Sequence, residues 1–265
     1  MNRMDIENLI NESDMVLVGI GESLESGFSV LESSEIYKRF LRKLEQENLQ
    51  ENDYEWVYPY LLEEAETDSP EAEKRNSFYK KLKELLQDKN YFLITMNMDS
   101  MPEQNGFAKE RVVKPFGNYE LLQCDKACTK ELWDGREEKE RILRCLKSDT
   151  EKLAGLKKGV CPHCGGEAVF NNVNAGIYIE EGYIENWKHY TKWIEGTMNR
   201  KVCILELGVM LCYPSIIRWP FEKMGYLNQK ASFVRINDVL WQLTEELKEK
   251  GISIKENPIS FFLER

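Results

Sequence analysis

Basic charge is in deficit along this 265-residue chain, where 36 Lys and Arg stand against 46 Asp and Glu and leave a net charge of −10. A surface of that sign repels phosphate backbones, and no Lys/Arg cluster stands out, which argues against a nucleic-acid binder. The acidity reads as a solubility feature. Long apolar runs are also missing, and none approaches a membrane span. The opening MNRMDIENLI is charged and helical in period, without the apolar core of a signal peptide. The chain is therefore expected in the cytoplasm. Disulfide frameworks are rare in that compartment, so the seven cysteines point to metal or thiol chemistry. What is present, 42% hydrophobic and 31% charged residues, is the composition expected of an ordinary soluble protein, and 265 residues can bury one large core with room for a smaller appended module.

One stretch organises the rest. In MVLVGIGESLESG, Met15 to Gly27, the short apolar run Met15–Val18 suits a strand buried on both faces. Gly19 and Gly21 would let the backbone turn and approach a pyrophosphate, with Ser23 beside them. The dinucleotide fingerprint needs a third glycine at a helix start, which this stretch lacks. A tight β-to-α turn without a ligand accounts for the same residues.

Apolar spacing predicts helices over 3–13 (Ile6, Leu9, Ile10), about 33–52 (Ile36, Phe40, Leu41, Leu44) and 77–88 (Phe78, Leu82, Leu85, Leu86). Helices also fit 183–195, 214–224 and 238–250. The aromatics of 53–75 (Tyr54, Trp56, Tyr58, Tyr60) read as core of a small helical lobe, given their acidic setting. Strands are predicted at Tyr91–Thr95, Arg111–Val113, Val202–Leu207, Ala231–Ile236 and Ile252–Ile254. Helices alternating with buried strands give a doubly wound, Rossmann-like α/β fold with a parallel sheet. Ligands bind beyond the carboxyl ends of such strands, where Gly19, Asn97, Asp99, Gly208 and Asn237 fall. Asp99 has a second reading as a helix N-cap.

Cys124-x3-Cys128 and Cys161-x2-Cys164 form two knuckles, each presenting two thiolates to one tetrahedral Zn²⁺. Gly165-Gly166 suits the tight turn of a knuckle. Four thiolates close the coordination shell, so the ion is expected to be structural. His163 is expected to be exposed and not a ligand, and Cys203, in an apolar strand, reads as a small buried hydrophobe.

A Gly-x-Gly strand end, Asn-x-Asp after a strand, a bipartite four-cysteine insertion and a late Leu-Gly strand end occur together in the sirtuins, the NAD-dependent silencing-regulator family, which this chain resembles. VGIGESLESG resembles the first nucleotide loop of that family. ITMNMD (94–99) resembles the motif whose Asn and Asp line the nicotinamide pocket, here Asn97 and Asp99. ELG (206–208) resembles the loop that meets the phosphates and ribose, and Arg235-Ile236-Asn237 the strand end whose Asn meets the adenosine ribose. YFLITMNMD, GNYELLQC and LELGVMLCYPSIIRWPF are most similar to the macrodomain-linked microbial subgroup. The resemblance covers most of 12–240 and is weakest over 28–75. It implies an NAD-binding domain over 1–123 and 171–265, a helical insertion and cofactor-loop lobe over 28–75, and a zinc module over 124–170, with NAD and structural Zn²⁺ as cofactors.

The departures matter as much. Where deacetylating sirtuins carry the His that acts as base for the nicotinamide ribose hydroxyl, this chain has Phe116, which accepts no proton; the subgroup often has Gln there. His163 and His189 are poor substitutes. Met96 replaces a Gln, Val209-Met210 replace hydroxyl residues, and Ser29 to Glu32 replace an Asp-Phe-Arg loop. Losing a positioned base costs roughly 10²- to 10⁴-fold. The expected activity is therefore NAD-dependent ADP-ribosyl transfer to a protein acceptor, with little or no deacylation. Asp99 would hold the carboxamide and Asn97 orient the ribose or a water. The alternatives are a non-enzymatic NAD or ADP-ribose sensor and an NAD glycohydrolase. The subgroup resemblance implies a lipoylated carrier protein as acceptor.

Overall fold

A computed structural model describes residues 3–25, 28–65 and 69–264. Ser26 and Gly27 of the expected nucleotide loop, and the side chain of Ser29, lie outside the described residues. The chain forms two compact units: Met1–Glu25, Lys74–Phe116 and Tyr183–Arg265 make the first, Ser26–Glu73 and Gly117–Gly182 the second.

The first unit is built on a six-stranded, wholly parallel sheet. Its strands are β1 (Met15–Ile20), β2 (Asn90–Thr95), β3 (Val112–Val113), β7 (Val202–Leu207), β8 (Ala231–Ile236) and β9 (Gly251–Ile254), in spatial order β3-β2-β1-β7-β8-β9; β4 to β6 belong to the second unit. All six residues of β1 are buried. Successive side chains leave opposite faces of a strand, so an apolar run suits a strand covered on both. Val16, Val18 and Ile20 pack with Ile6 and Ile10 of α1 (Arg3–Glu12) and with Phe78 and Leu82 of α5 (Pro70–Leu85). Phe261 and Phe262 of α10 (Pro258–Leu263) join the same cluster. Met15 and Leu17 pack in the cluster that includes Tyr190 and Trp193 of α8 (Ile184–Glu195) and Phe221 of α9 (Arg218–Leu227). The doubly wound parallel sheet is thus present as expected, with helices on both faces.

Three expected helices differ in extent. The one expected over 77–88 begins at Pro70, because Ser69 accepts from the Ala72 N–H at 3.0 Å and Pro70 suits a first turn. The one expected over 214–224 begins only at Arg218. The helix expected over 238–250 is not formed; only a single 3-10 turn, Glu245–Leu247, appears there. Asn237 Oδ1 accepts from the N–H groups of Val239 (2.9 Å) and Leu240 (2.7 Å), and two arginines take the carbonyls of Leu240 and Gln242. With those backbone groups captured by side chains, a helical ladder has nothing to start from.

In the second unit, α2 (Phe28–Ser33), α3 (Glu35–Glu47), α4 (Tyr58–Ala65) and α7 (Arg136–Lys147) form a helical cluster. The helix expected over 33–52 is bounded by Ser34, whose hydroxyl caps the Tyr37 N–H (3.2 Å), and by Asn48 in the left-handed region at φ 52°. Ile36, Phe40 and Leu44 pack with Ile142 and Leu146 of α7, while Leu41, expected on the apolar stripe, is exposed. Tyr60 is buried with its ring 4.6 Å from Phe170, and Tyr54, Trp56 and Tyr58 pack at the edge of the cluster. A three-stranded antiparallel sheet that sequence reading missed completes the unit: β4 (Gly117–Cys124), β5 (Trp133–Asp134) and β6 (Ala168–Asn172), ordered β5-β4-β6.

Gly19 shows what the sheet demands of its glycines. A Cβ there would lie 2.5 Å from Ile217 Cγ2 and 2.6 Å from Phe221 Cε2. Gly19→Ala therefore overpacks the β1–α9 interface and is expected to cost about 1–3 kcal/mol, read as a lowered denaturant midpoint with unchanged m-value. An unchanged midpoint would show that α9 yields freely.

Candidate functional site

In the strand order of the first unit, the chain leaves β1 toward β2 on one side and returns as β7 on the other. The carboxyl ends of β1 and β7 thus meet at a topological switch point, where open α/β sheets bind ligands. The loops leaving them are laced together. Gly21 N donates to Leu207 O (2.9 Å) and Ser23 N to Gly208 O (3.2 Å). A Cβ on Gly21 would run into Gly208 O and the Val209 backbone; one on Gly208, held at φ 64°, would strike Ser23 Oγ. The space beside Gly19, Gly21 and Gly208 is therefore taken by protein, and close loop packing is itself a sufficient reason for each glycine. Ligand-facing signals come instead from neighbouring side chains. Ser23 Oγ and Glu22 Oε1 are buried without a hydrogen-bond partner, while Glu22 Oε2 accepts from Met210 N at 3.0 Å. A hydroxyl donor suits a phosphate oxygen and a carboxylate oxygen suits a ribose hydroxyl, so this pair fits a nucleotide.

The loop after β2 joins this set. Asn97 is buried, and with its amide oriented to satisfy both ends it donates to Gly21 O (3.0 Å) and accepts from Glu25 N (3.2 Å). Asp99 is buried as well. Its Oδ2 lies 2.7 Å from Arg75 Nη2, and its Oδ1 accepts from Met101 N, the first residue of the four-residue α6 (Met101–Gln104), at 3.0 Å. The N-cap position expected of Asp99 is held by Ser100, and Asp99, one residue earlier, takes the Met101 N–H while sitting in a charged cluster. Lys114 Nζ binds Asp99 O (2.6 Å) and Glu103 Oε2 (2.7 Å). Burial, and next the charge of Asp99, push the Glu25 carboxyl above the usual range. From β8, fully buried Asn237 donates to Val209 O at 2.9 Å. Gly21, Ser23, Asn97, Gly208 and Asn237 are thus linked through the loops that end β1, β2, β7 and β8.

Phe116 is half-buried against the cluster that contains Met96, Val209 and Ile217, with its ring edge-on to Tyr213 at 4.8 Å between centroids. Its carbon ring offers no proton acceptor. His189 is exposed on α8, and exposed His163 pairs with Glu131 at 3.0 Å.

Sequence reasoning missed Arg75, Glu22, Glu25 and an ion cluster inside the sheet. Glu206 and Arg235 are cross-strand register partners on β7 and β8, held by a two-pronged contact at 2.7 and 2.9 Å. Burial pushes the Glu206 carboxyl upward, offset in part by the Arg235 guanidinium. A charge within each of two apolar strands is visible in the sequence, but the pairing depends on β7 and β8 lying side by side in register.

In the second unit, the Sγ atoms of Cys124, Cys128, Cys161 and Cys164 all lie within 4.8 Å of one another. Cys124–Cys164 and Cys128–Cys161 are 3.6 and 3.7 Å apart. A tetrahedral ion with Zn–S bonds of about 2.3 Å has sulfur–sulfur edges of about 3.8 Å. Two edges match that length and the others lie within 4.8 Å, so the four cysteines could hold Zn²⁺. Gly165 turns the second knuckle at φ 70°, with its N–H on Cys161 O at 2.9 Å. Of the other cysteines, Cys145 and Cys203 are buried and Cys212 is exposed; burial pushes the Cys203 thiol up to about 12.

Among the described residues no helix is long and apolar enough to cross a membrane. No family model matches the chain. It is similar to a protein ADP-ribosyltransferase of Staphylococcus aureus (strain Mu50 / ATCC 700699), with 23% identity over 182 residues, 68% of this chain and 57% of that protein. It is also similar to a probable bifunctional ADP-ribose hydrolase/ADP-ribosyltransferase of Fusarium oxysporum f. sp. cubense, with 29% identity over 138 residues, 50% of this chain and 23% of that protein. The chain thus spans little more than half the length of the first relative and about a quarter of the second. Among solved structures it is similar to Sir2Tm bound to a propionylated peptide and to Sir2 with a p53 peptide and NAD⁺. Each has 14% identity and a TM-score of 0.54, over 99% of this chain and 96% of the other. This chain has the sirtuin fold.

Proposed function

We propose that the chain is a sirtuin-type, NAD-dependent ADP-ribosyltransferase acting on a protein acceptor, with little or no deacylase activity. The observation that carries this reading is the constellation at the switch point: unpartnered Ser23 Oγ and Glu22 Oε1 beside Asn97 and Asp99, with Phe116 where the resemblance places the deacylase base. Both curated relatives bear ADP-ribosyltransferase names, which supports the same direction.

NAD, when bound, supplies an electrophilic ribose carbon and nicotinamide as leaving group. The loops bearing Gly21, Ser23 and Gly208 would hold the phosphates, and Asn237 would meet the adenosine ribose. Asp99, locked by Arg75 and the Met101 N–H, would take the carboxamide and hold it in one orientation. Asn97 is positioned by Gly21 O and Glu25 N and retains one amide hydrogen for a ribose hydroxyl or a water. Phe116 accepts no proton, so ribose-hydroxyl attack on an acyl group lacks its base. The four cysteines would hold a structural Zn²⁺.

Incubation with adenylate-labelled NAD and a lysate tests the reading. Nicotinamide release matched by label on protein is expected. Equal nicotinamide and free ADP-ribose without labelled protein would favour a glycohydrolase. Tight binding without release would favour a sensor, a reading that the intramolecular engagement of Asn97, Asp99 and Asn237 also suits.

A further inference from the structure

Arg218 is the first residue of α9, where a cation opposes the helix dipole and gains nothing from helix formation. It is nonetheless buried, and burial pulls its guanidinium below the ordinary arginine range. Around it lie Glu206 Oε1 at 3.4 Å and, one turn along its own helix, Glu222 Oε1 at 3.9 Å. Arg235 joins the same acids: its fork grips Glu206, and its Nη2 lies 2.7 Å from Glu222 Oε1. Two arginines and two glutamates therefore form one neutral cluster at the carboxyl ends of β7 and β8.

Pairing two charges inside a protein yields little net stability once desolvation is counted, so folding alone gives a weak reason for this cluster. Its remaining hydrogen bonds point outward to backbone. Arg218 Nη1 donates to Val209 O (3.0 Å), Arg218 Nη2 to Leu240 O (2.9 Å) and Arg235 Nη1 to Gln242 O (2.5 Å). Val209 O also receives Asn237 Nδ2. One guanidinium thus spans the loop that follows Gly208 and the loop that follows Asn237. Lysine has the charge but not the fork to do this.

We infer that Arg218 is a positioning residue: through Val209 O and Leu240 O it sets the two loops that would receive the ADP-ribose half of NAD, with Glu206, Glu222 and Arg235 holding its plane. The inference rests on the nucleotide reading of the site. Arg218 need not touch the ligand, and it acts through the backbone of its two loops.

The test compares wild type with Arg218→Lys, Arg218→Met and Glu222→Gln by calorimetric titration with ADP-ribose, after circular dichroism confirms folding. Hydrogen exchange is followed at Val209–Leu211 and Val239–Gln242. Arg218→Lys is expected to weaken ADP-ribose binding about tenfold and Arg218→Met about a hundredfold. Faster exchange should be confined to those two loops, with β1 and β2 unchanged. If Arg218→Met does not fold, Arg218→Lys and Glu222→Gln carry the comparison. Folded variants that bind ADP-ribose within twofold of wild type, or that exchange faster throughout the sheet, overturn the positioning role. A wild-type protein that binds neither NAD nor ADP-ribose would remove the nucleotide reading itself, and the positioning role with it.

Discussion

Removing the proposed Zn²⁺ from the second unit, by a strong chelator or by Cys161→Ser with Cys164→Ser, should unravel β4 and β6 while β1 and β7 stay protected from hydrogen exchange. Cys124 is the last residue of β4, and the backbone after Cys164 leads through Gly165 and Gly166 to β6, so one ion would staple both strands. Structural Zn²⁺ supplies roughly 10–16 kcal/mol of apparent binding free energy in isolated finger peptides. Here the helical cluster of α3, α4 and α7 offsets part of that loss, since Ile36, Phe40, Leu61 and Ile142 keep their own packing. The expected results are one zinc per chain by elemental analysis in the untreated protein and none in the double variant. Exchange at Leu121–Cys124 should approach the unfolded rate. Full protection of β4 in metal-free protein would show that hydrogen bonding and packing suffice and that the four thiolates are not a structural clamp.

Phe116→His is expected to raise NAD-dependent deacylation of an acetylated peptide by roughly 10²- to 10⁴-fold over the unmodified protein, the range of a positioned general base. The substitution is sterically mild. Phe116 is half-buried, its ring meets Tyr213 edge-on, and an imidazole is smaller than the phenyl ring it replaces. Nicotinamide release should change far less than peptide deacylation, because in the chemistry the resemblance implies the base would act after the nicotinamide bond has broken. Measuring the two together separates restored chemistry from altered NAD binding. No gain in deacylation, with NAD bound as tightly as before, would place the defect elsewhere. Buried Met96 and Val209, in the same cluster, are the positions that the resemblance matches to polar residues of the deacetylases and are the next to convert.

Legibility in the sequence followed burial. Val16–Val18, Phe92–Ile94, Val202–Leu205 and Phe233–Val234 read as strands because both their faces are covered, and a strand covered on both faces has an unbroken apolar run. The four cysteines were legible for a different reason, since two short knuckles suit one ion whatever surrounds them. The small sheet β5-β4-β6 escaped because GNYELLQC has neither an unbroken apolar run nor clean alternation. Its partly buried residues, held by antiparallel pairing and the cysteine cluster, give no periodic signal.

Within the site, residue types were visible and their relations were not. Asn97, Asp99, Gly208 and Asn237 were named from the chain; that Asn97 reaches back to Gly21, or that Arg75 from α5 locks Asp99, depends on strands brought side by side from distant sequence. The expected helix over 238–250 failed on the same ground. Its apolar spacing suits a helix, yet Asn237, Arg218 and Arg235 take its backbone groups from outside the segment. By itself the sequence determined the parallel sheet, the cysteine cluster and the strand ends where a ligand would sit, because periodicity and spacing are local properties. Only the tertiary structure decided that Gly19 and Gly21 face protein, and that Glu206 and Arg235 neutralise each other. Those outcomes turn on which atoms from remote segments arrive within 3 Å, and no local pattern encodes that.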